Sequence, residues 1–427
     1  MNLPELGQRL EVTVERLAFG GYAIARHDGL AVFVPFAAPG DRLDVEVYEV
    51  DKKFVRARIV NVITKGPARI EPRCVHFGAC GGCQYQHVDY PTQVAAKSEF
   101  IRDALVRTGG FEWPAPVRVH HAEPWGYRSR TQLKLLATSG ERHDGSVGRL
   151  GKKQRRAMRA AEAAIAVDAA PTRPVLGFHR AFSHDTLDVT MCPVLAPELE
   201  RGIADVRVAV AKLPKKDWPY QVDGACGTSG ASWAPDLPGI KKDLIEHDVL
   251  GFRYLIEPES FFQGNRHLVA KLVEGALGDE RGGVAFDLYA GVGLFSLPLS
   301  KRFTRVVAVE DERRAATLGR VNAKTNRCDN VTYLRATTEQ FLRDNKERPD
   351  LVLMDPPRLG AKPAIKLLLQ LAAPRLVYVS CDPQTLARDL RQLVDGGYEL
   401  EQVEGFDMFP WTFHVEAVAR LRWRGRS

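Results

Sequence analysis

One stretch limits the folds open to this chain more than any other. An apolar run over residues 284–288 leads into Asp287-Leu-Tyr-Ala-Gly291-Val-Gly293, and a helix-like segment follows. Strand, glycine turn and helix in that order let a backbone approach a ligand at a helix N-terminus. Further strand-like runs follow at 305–310, 350–354 and 375–380, with helical stretches between them. Such alternation predicts a parallel sheet with right-handed crossovers, beginning near residue 251.

The turn itself narrows the ligand. A dinucleotide fingerprint wants a third glycine, but position 294 is Leu and position 296 is Ser. Glu310 ends the next strand, where a carboxylate can accept both hydroxyls of a ribose. Turn and acid in register suit S-adenosylmethionine better than NAD. Asp355-Pro356-Pro357-Arg358 follows the strand at 350–354. Amino-group methyltransferases carry an aromatic residue after the prolines to hold an exocyclic amine. Arg358 stands there, which argues against nitrogen methylation.

Ser380-Cys381-Asp382-Pro383 follows the last of these strands. A methyl donor beside a nucleophilic thiol is what methylating an unactivated pyrimidine carbon requires. Carbon 5 of uracil is a poor nucleophile. Thiolate addition at carbon 6 puts electron density on carbon 5, and a base must later remove the carbon 5 hydrogen. Cys381 is the candidate thiol and Glu416, in Phe413-His-Val-Glu416, the candidate base. Polar Ser380 and Asp382 are expected to favour thiol reactivity.

The chain has 427 residues, 45% hydrophobic and 26% charged, enough for two or three domains with cores. A net charge of +7 points to a polyanionic partner such as RNA. No apolar run is long enough to span a bilayer, and the start lacks a signal-peptide pattern. A cytoplasmic protein without a membrane partner is expected, with a monomer as the default.

Residues 9–64 carry short alternating strands with glycine turns, the pattern of an OB-like barrel. Lys52, Lys53, Arg56 and Arg58 charge one stretch of it. Residues 91–108 read as a helix with Val94, Ile101 and Leu105 on one side. Residues 115–250 read as strand-rich. The predicted architecture is an α/β Rossmann-like domain at 251–427, a barrel at 1–65 and a central domain at 66–250, with the helix packing on the 251–427 domain.

Seven cysteines are present. Cys74, Cys80 and Cys83 form a compact group, and Cys192 supplies a distant fourth thiol. Four thiolates fit a tetrahedral zinc site or an iron–sulfur cluster, and spacing alone does not decide. Cys226 and Cys328 look incidental.

With these residues placed, the chain resembles the RNA uracil-5-methyltransferase family, most closely its 23S ribosomal RNA branch, over nearly its whole length. The hallmarks are Phe262-Gln263, Asp287-Leu-Tyr-Ala-Gly-Val-Gly-Leu-Phe-Ser-Leu-Pro-Leu, Asp355-Pro-Pro-Arg, Val379-Ser-Cys-Asp-Pro-Gln-Thr-Leu-Ala-Arg-Asp-Leu and Asp407-Met-Phe-Pro…His414-Val-Glu. The resemblance implies Cys381 as nucleophile and Glu416 as base. It implies that Gln263, Tyr289, Glu310 and Asp355 line the S-adenosylmethionine site. It also implies that the barrel is a TRAM domain, and that Cys74, Cys80, Cys83 and Cys192 hold a [4Fe–4S] cluster with a structural or RNA-positioning role. Two positions depart from the family: many members have Asn where Leu294 stands and His where Trp411 stands.

The expected substrate is 23S rRNA, with tRNA as the alternative. Bacterial members acting on tRNA commonly lack both barrel and cluster. Cytosine-5 methylation would want a cysteine beside the prolines of Asp355-Pro-Pro-Arg358, and none is there. Arg128, Arg130 and Lys134, the tract Lys152, Lys153, Arg155, Arg156 and Arg159, and the terminal Arg420, Arg422, Arg424 and Arg426 are expected RNA contacts. Trp125, Tyr127 and Phe178 are expected stacking residues.

Overall fold

The computed structural model describes residues 3–136 and 174–425. The basic tract at 152–159 and Arg426 lie outside them. Five strands form the first unit: β1 (Arg9–Ala18), β2 (Tyr22–His27), β3 (Leu30–Pro35), β4 (Arg42–Val50) and β5 (Phe54–Thr64). They close into a barrel in the order β1-β2-β3-β5-β4. The alternation read from the sequence sets its inside, with Leu10, Val12, Val14, Leu43, Val45 and Val47 buried together. Closure leaves no exposed sheet edge.

After a loop bearing three of the cysteines comes α1 (Tyr90–Arg107). Asp89 caps it, its carboxylate accepting the Thr92 amide at 2.9 Å. The buried face differs from the expected one. It comprises Gln93, Lys97, Ser98, Phe100, Ile101, Ala104 and Leu105, while Val94 stays half-exposed. Two long polar residues lie inward because partners there satisfy them. Gln93 donates to the carbonyls of Val88 and Tyr85, and Lys97 pairs with Asp407.

The central region carries β7 (Arg130–Leu136), β8 (Val175–His179), β9 (Thr186–Asp188), β10 (Gln221–Gly227) and β11 (Gly230–Ala234), in the sheet order β11-β10-β7-β8-β9. A helix, α2 (Pro197–Ala211), packs on this sheet through Leu199, Ile203, Val206 and Val210. The hairpin β12 (Ile245–Val249) and β13 (Phe252–Ile256) leads to α3 (Val269–Leu277).

An eight-stranded sheet organises the rest. Its strands are β14 (Gly282–Leu288), β15 (Phe303–Glu310), β16 (Val331–Arg335), β17 (Leu351–Met354), β18 (Arg375–Ser380), β19 (Tyr398–Phe406) and β20 (Glu416–Trp423), joined by the short β6 (Val119–His120). The order is β16-β15-β14-β17-β18-β20-β19-β6. The first five run parallel, and β20 enters antiparallel to β18. The crossovers are α4 (Ser296–Leu299), α5 (Arg313–Thr325), α6 (Thr338–Asp344), α7 (Lys362–Leu371) and α8 (Pro383–Asp395). Apolar layers cover both faces of the sheet, as parallel sheets require. No described helix is long and apolar enough to cross a membrane.

Candidate active site

The carboxyl ends of β14, β15, β17 and β18 share one edge of the sheet, and the sequence-predicted residues of this region lie along it. After β14 the chain turns with positive φ at Tyr289 (62°), Gly291 (54°) and Gly293 (101°). Gly293 is obligatory on two counts: its φ, and the Tyr333 hydroxyl, which a Cβ would overlap. The Asp287 carboxyl is buried. One oxygen accepts the Ser296 hydroxyl and the other has no partner. Burial pushes this carboxyl up to about 7, helped by the charges of Asp355 and Glu310.

Glu310 lies across the turn. Its two oxygens accept the Gly291 amide at 2.8 Å and the Glu312 amide at 2.7 Å. The carboxylate therefore has a fixed orientation at the end of β15, as a group meant to meet a ligand should. Leu294 is buried core and offers no polar group there. At the end of β17, Asp355 is 3.5 Å from the amide nitrogen of buried Gln263, a long contact. Loss of solvation raises Asp355 to about 7.

Cys381 and Glu416 come together through strand register. Ser380 of β18 is opposite Ala417 of β20 in an antiparallel pair. The next residue on one strand, Cys381, therefore faces the preceding residue on the other, Glu416. Glu416 is 2% exposed. Burial, and then the Asp355 charge, hold its carboxyl well above the ordinary carboxylate range, against the opposing influence of Arg358. The Cys381 thiol is pushed up to about 12 by burial and by the Glu416 carboxylate. Arg358 opposes this through its charge and a hydrogen bond to the thiol.

Two local expectations change. Asp382 caps α8, accepting the Gln384 and Thr385 amides at 2.9 and 3.1 Å, and the Ser380 hydroxyl bonds the Asp382 backbone. Both polar neighbours serve the helix start rather than the thiol. The cation beside the thiol is Arg358, whose Nη2 also lies 3.1 Å from both ring nitrogens of His414. Burial first, then Arg358, pushes His414 down to about 3, so it stays neutral.

Cys74, Cys80, Cys83 and Cys192 line one cavity of about 490 Å³, together with Arg128, Arg130, Lys134 and Phe261. Burial pushes Cys83 and Cys192 up to about 12, and neighbouring thiols add to the shift, while Arg128 opposes it. Cys74 and Cys80 are raised too, burial again leading. Among the described residues, no group of three or more His, Cys, Asp or Glu side chains is tight enough to hold a metal ion.

Comparison with known proteins accords with this geometry. Residues 241–423 match the family model described as tRNA (Uracil-5-)-methyltransferase, and residues 5–60 match that of the TRAM domain. A 23S rRNA (uracil(1939)-C(5))-methyltransferase of Enterobacter sp. is 31% identical, with 93% of each chain covered. The chain belongs to the RNA uracil-5-methyltransferase family. An uncharacterized RNA methyltransferase of Gloeobacter violaceus is also 31% identical, covering 97% of this chain and 96% of that one. The crystal structure of the Pyrococcus abyssi tRNA (uracil-54, C5)-methyltransferase, solved with S-adenosyl-L-homocysteine, shares the fold. It gives a TM-score of 0.70 at 24% identity, covering 96% of this chain and 100% of that one.

Within this methyltransferase, several expected RNA contacts prove to be engaged elsewhere. Tyr127 is 1% exposed and Trp125 stacks on Trp411 with centroids 4.3 Å apart, so neither is free to stack on a base. Phe178 packs half-buried against the α2 core and also lines the cysteine cavity. Arg422 and Arg424 pair with Glu401 and Glu399, and Arg420 lies between Glu280 and the Gly275 carbonyl. Arg56 and Arg58 of the barrel pair with Glu49 and Glu46. Arg128, Arg130 and Lys134 remain on the cysteine cavity.

The sequence reading missed the buried Lys97–Asp407 pair, both side chains 0% exposed. The Tyr90 hydroxyl completes it, donating to Asp407 at 2.9 Å. Asp407 was visible as part of a motif, but nothing in the sequence marked Lys97.

Proposed function

We propose that this enzyme transfers a methyl group from S-adenosylmethionine to carbon 5 of a specific uridine in 23S rRNA, with Cys381 as nucleophile and Glu416 as base. The observation that carries the reading is the β18–β20 register, which sets a thiol and a buried carboxyl opposite each other beside Asp355. The turn after β14 and the fixed Glu310 carboxylate make the donor site, with Gln263, Tyr289 and Asp355 completing its walls. Sequence likeness to enzymes named for 23S rRNA supports the substrate class.

The target uridine must leave its stack to reach the thiol. Ionised Cys381 forms a sulfur–carbon bond at carbon 6, and the electrons of the carbon 5–carbon 6 double bond move toward the carbonyl at carbon 4. When bound, S-adenosylmethionine supplies an electrophilic methyl, which carbon 5 takes as the methyl–sulfur bond breaks and its electron pair stays on the sulfur. Glu416, in its ionised form, then accepts the hydrogen of carbon 5 as a proton. The electrons left behind restore the double bond and expel the thiolate. Two features suit these roles. Arg358 offers the thiolate a counter-charge, and burial makes Glu416 a stronger base than an exposed carboxylate.

The four cysteines are proposed to hold a [4Fe–4S] cluster, away from the chemistry. All four line one cavity of about 490 Å³. A cluster with four iron corners accepts ligands spread wider than a single zinc ion would, at about 2.3 Å per bond. Iron and acid-labile sulfide assays test this, and stoichiometric zinc would refute it.

The deciding experiment is tritiated methyl transfer to 23S rRNA lacking its uracil methyls, with tRNA and Cys381→Ala in parallel. Label at carbon 5 of uridine in 23S rRNA, lost in the variant, is expected. Label in tRNA alone overturns the substrate, and full activity of Cys381→Ala overturns the chemistry.

A further inference from the structure

The strap at 407–415, between β19 and β20, runs directly into Glu416, and several of its polar groups are held by distant parts of the chain. The Asp407 carboxylate receives Lys97 and Tyr90. The Phe409 carbonyl accepts Lys97 Nζ at 2.9 Å, and the Pro410 carbonyl accepts the Tyr127 hydroxyl at 3.2 Å. The density of contacts peaks at Trp411. Its carbonyl accepts the amides of both Gln84 and Tyr85 at 2.9 Å, immediately after Cys83. Its own amide donates to Gln93 Oε1 at 3.1 Å, and its indole N–H to the Pro124 carbonyl at 2.8 Å.

The indole is 3% exposed and packs with Tyr127, Val194 and the half-buried Cys83 and Cys192. The backbone there has φ +68°, a conformation bulky residues rarely adopt and keep only where surroundings enforce it. Beyond Trp411, Phe413 packs edge-on against Phe19 of the barrel, and His414 meets Arg358. The strap is thus tied to the cysteine loop five residues before the base.

We propose that Trp411 is a positioning residue for Glu416, anchoring the strap to the cysteine loop and so fixing where the base's strand begins. The proposal rests on the assignment of Glu416 as the base. Trp411 touches neither the thiol nor the carboxyl, so its loss should act on one step, the removal of the carbon 5 proton, rather than on cofactor binding. A shift of the base by about 1 Å is enough to cost roughly a hundredfold in a proton transfer.

The test follows the covalent enzyme–RNA complex on denaturing gels during a single turnover, alongside calorimetric binding of S-adenosylmethionine. Glu416→Gln is the reference, expected to accumulate methylated adduct that does not resolve. Trp411→Ala should accumulate the same adduct, with resolution slowed about tenfold or more and cofactor affinity unchanged. Trp411→Phe, which keeps the packing, should restore resolution to near the parent rate. Trp411→His, a smaller ring that gives up most of the stacking, should fall between them and decides the matter if Trp411→Ala does not fold. Adduct with Glu416→Gln but none with the Trp411 variants overturns the positioning role. Equal slowing of addition and resolution, or loss of cofactor binding, also overturns it. Absence of adduct with Glu416→Gln itself instead overturns the assignment of the base.

Discussion

Glu416→Gln should stabilise the RNA-free protein, and by more at higher pH. The native carboxyl is 2% exposed and sits well above its ordinary value of 4.5, from burial first and the Asp355 charge second. The native state therefore holds this proton more tightly than the unfolded chain does. For a raised pKa, the stability linked to the proton is intact below the unfolded value and is lost as pH rises toward the folded one. The loss is about 1.4 kcal/mol for each pH unit in that window. Through that window the parent loses stability that a neutral glutamine does not. At about 2–4 °C per kcal/mol, the melting temperatures of variant and parent should separate by up to about 3–6 °C for each pH unit in that window. Asp355, itself raised to about 7 by burial, adds to the trend in both proteins. The measurement is a thermal melt of both proteins in steps across this range, following the transition of the eight-stranded sheet. A difference that stays flat, or narrows as pH rises, refutes the claim that burial holds the proton on Glu416.

In the RNA-free enzyme the Cys381 thiol, raised to about 12, should be ionised in only about one molecule in ten thousand at pH 8. Its alkylation, followed by peptide mass spectrometry, should climb about tenfold per pH unit from 7 to 10, and a plateau below pH 9 would mean that Arg358 outweighs burial. Lys97→Ala leaves Asp407 charged and buried, and should cost about 3–5 kcal/mol in urea melts. The double change Lys97→Met with Asp407→Leu should recover a large part of that, and simple additivity would contradict a pairwise interaction. Gly275→Ala in α3 drives a methyl into the Phe406 ring and should destabilise by about 1–3 kcal/mol, despite alanine's helix preference. Parent-like stability would show that the ring can move aside.

Where the sequence was legible, local pattern and tertiary role coincided. The barrel strands alternate because one face is buried, and the glycine turn after β14 announces itself because Gly293 meets Tyr333. Reading failed where a distant partner overrode the pattern. In α1, apolar spacing pointed to Val94, but Lys97 and Gln93 lie inward because Lys97 donates to Asp407 and Gln93 accepts the Trp411 amide, both some three hundred positions away. Trp125 and Tyr127 look like stacking residues until Trp411 and Val194 are seen to cover them. The α2 helix did carry a signal, Leu199, Ile203, Val206 and Val210 at helical spacing, which the surrounding prolines and glycines obscured. Cys381 and Glu416 were both visible as residues. Their juxtaposition was not, because it depends on how β20 pairs with β18.

That pairing explains why the proposed base comes from an antiparallel strand. Parallel strands bring only their carboxyl ends to the ligand edge, and each return to that edge needs a crossover of a dozen or more residues. An antiparallel neighbour brings its first residue there instead. Glu416 is that first residue, so the segment in front of it can be a short strap rather than a crossover helix. A short strap has little freedom of its own and takes its position from what holds it. Here the holders are α1, through Lys97 and Gln93, and the cysteine loop, through the amides of Gln84 and Tyr85. The residues in front of the eight-stranded sheet therefore have a physical route to the placement of the proposed base, although none of them lies in the sheet.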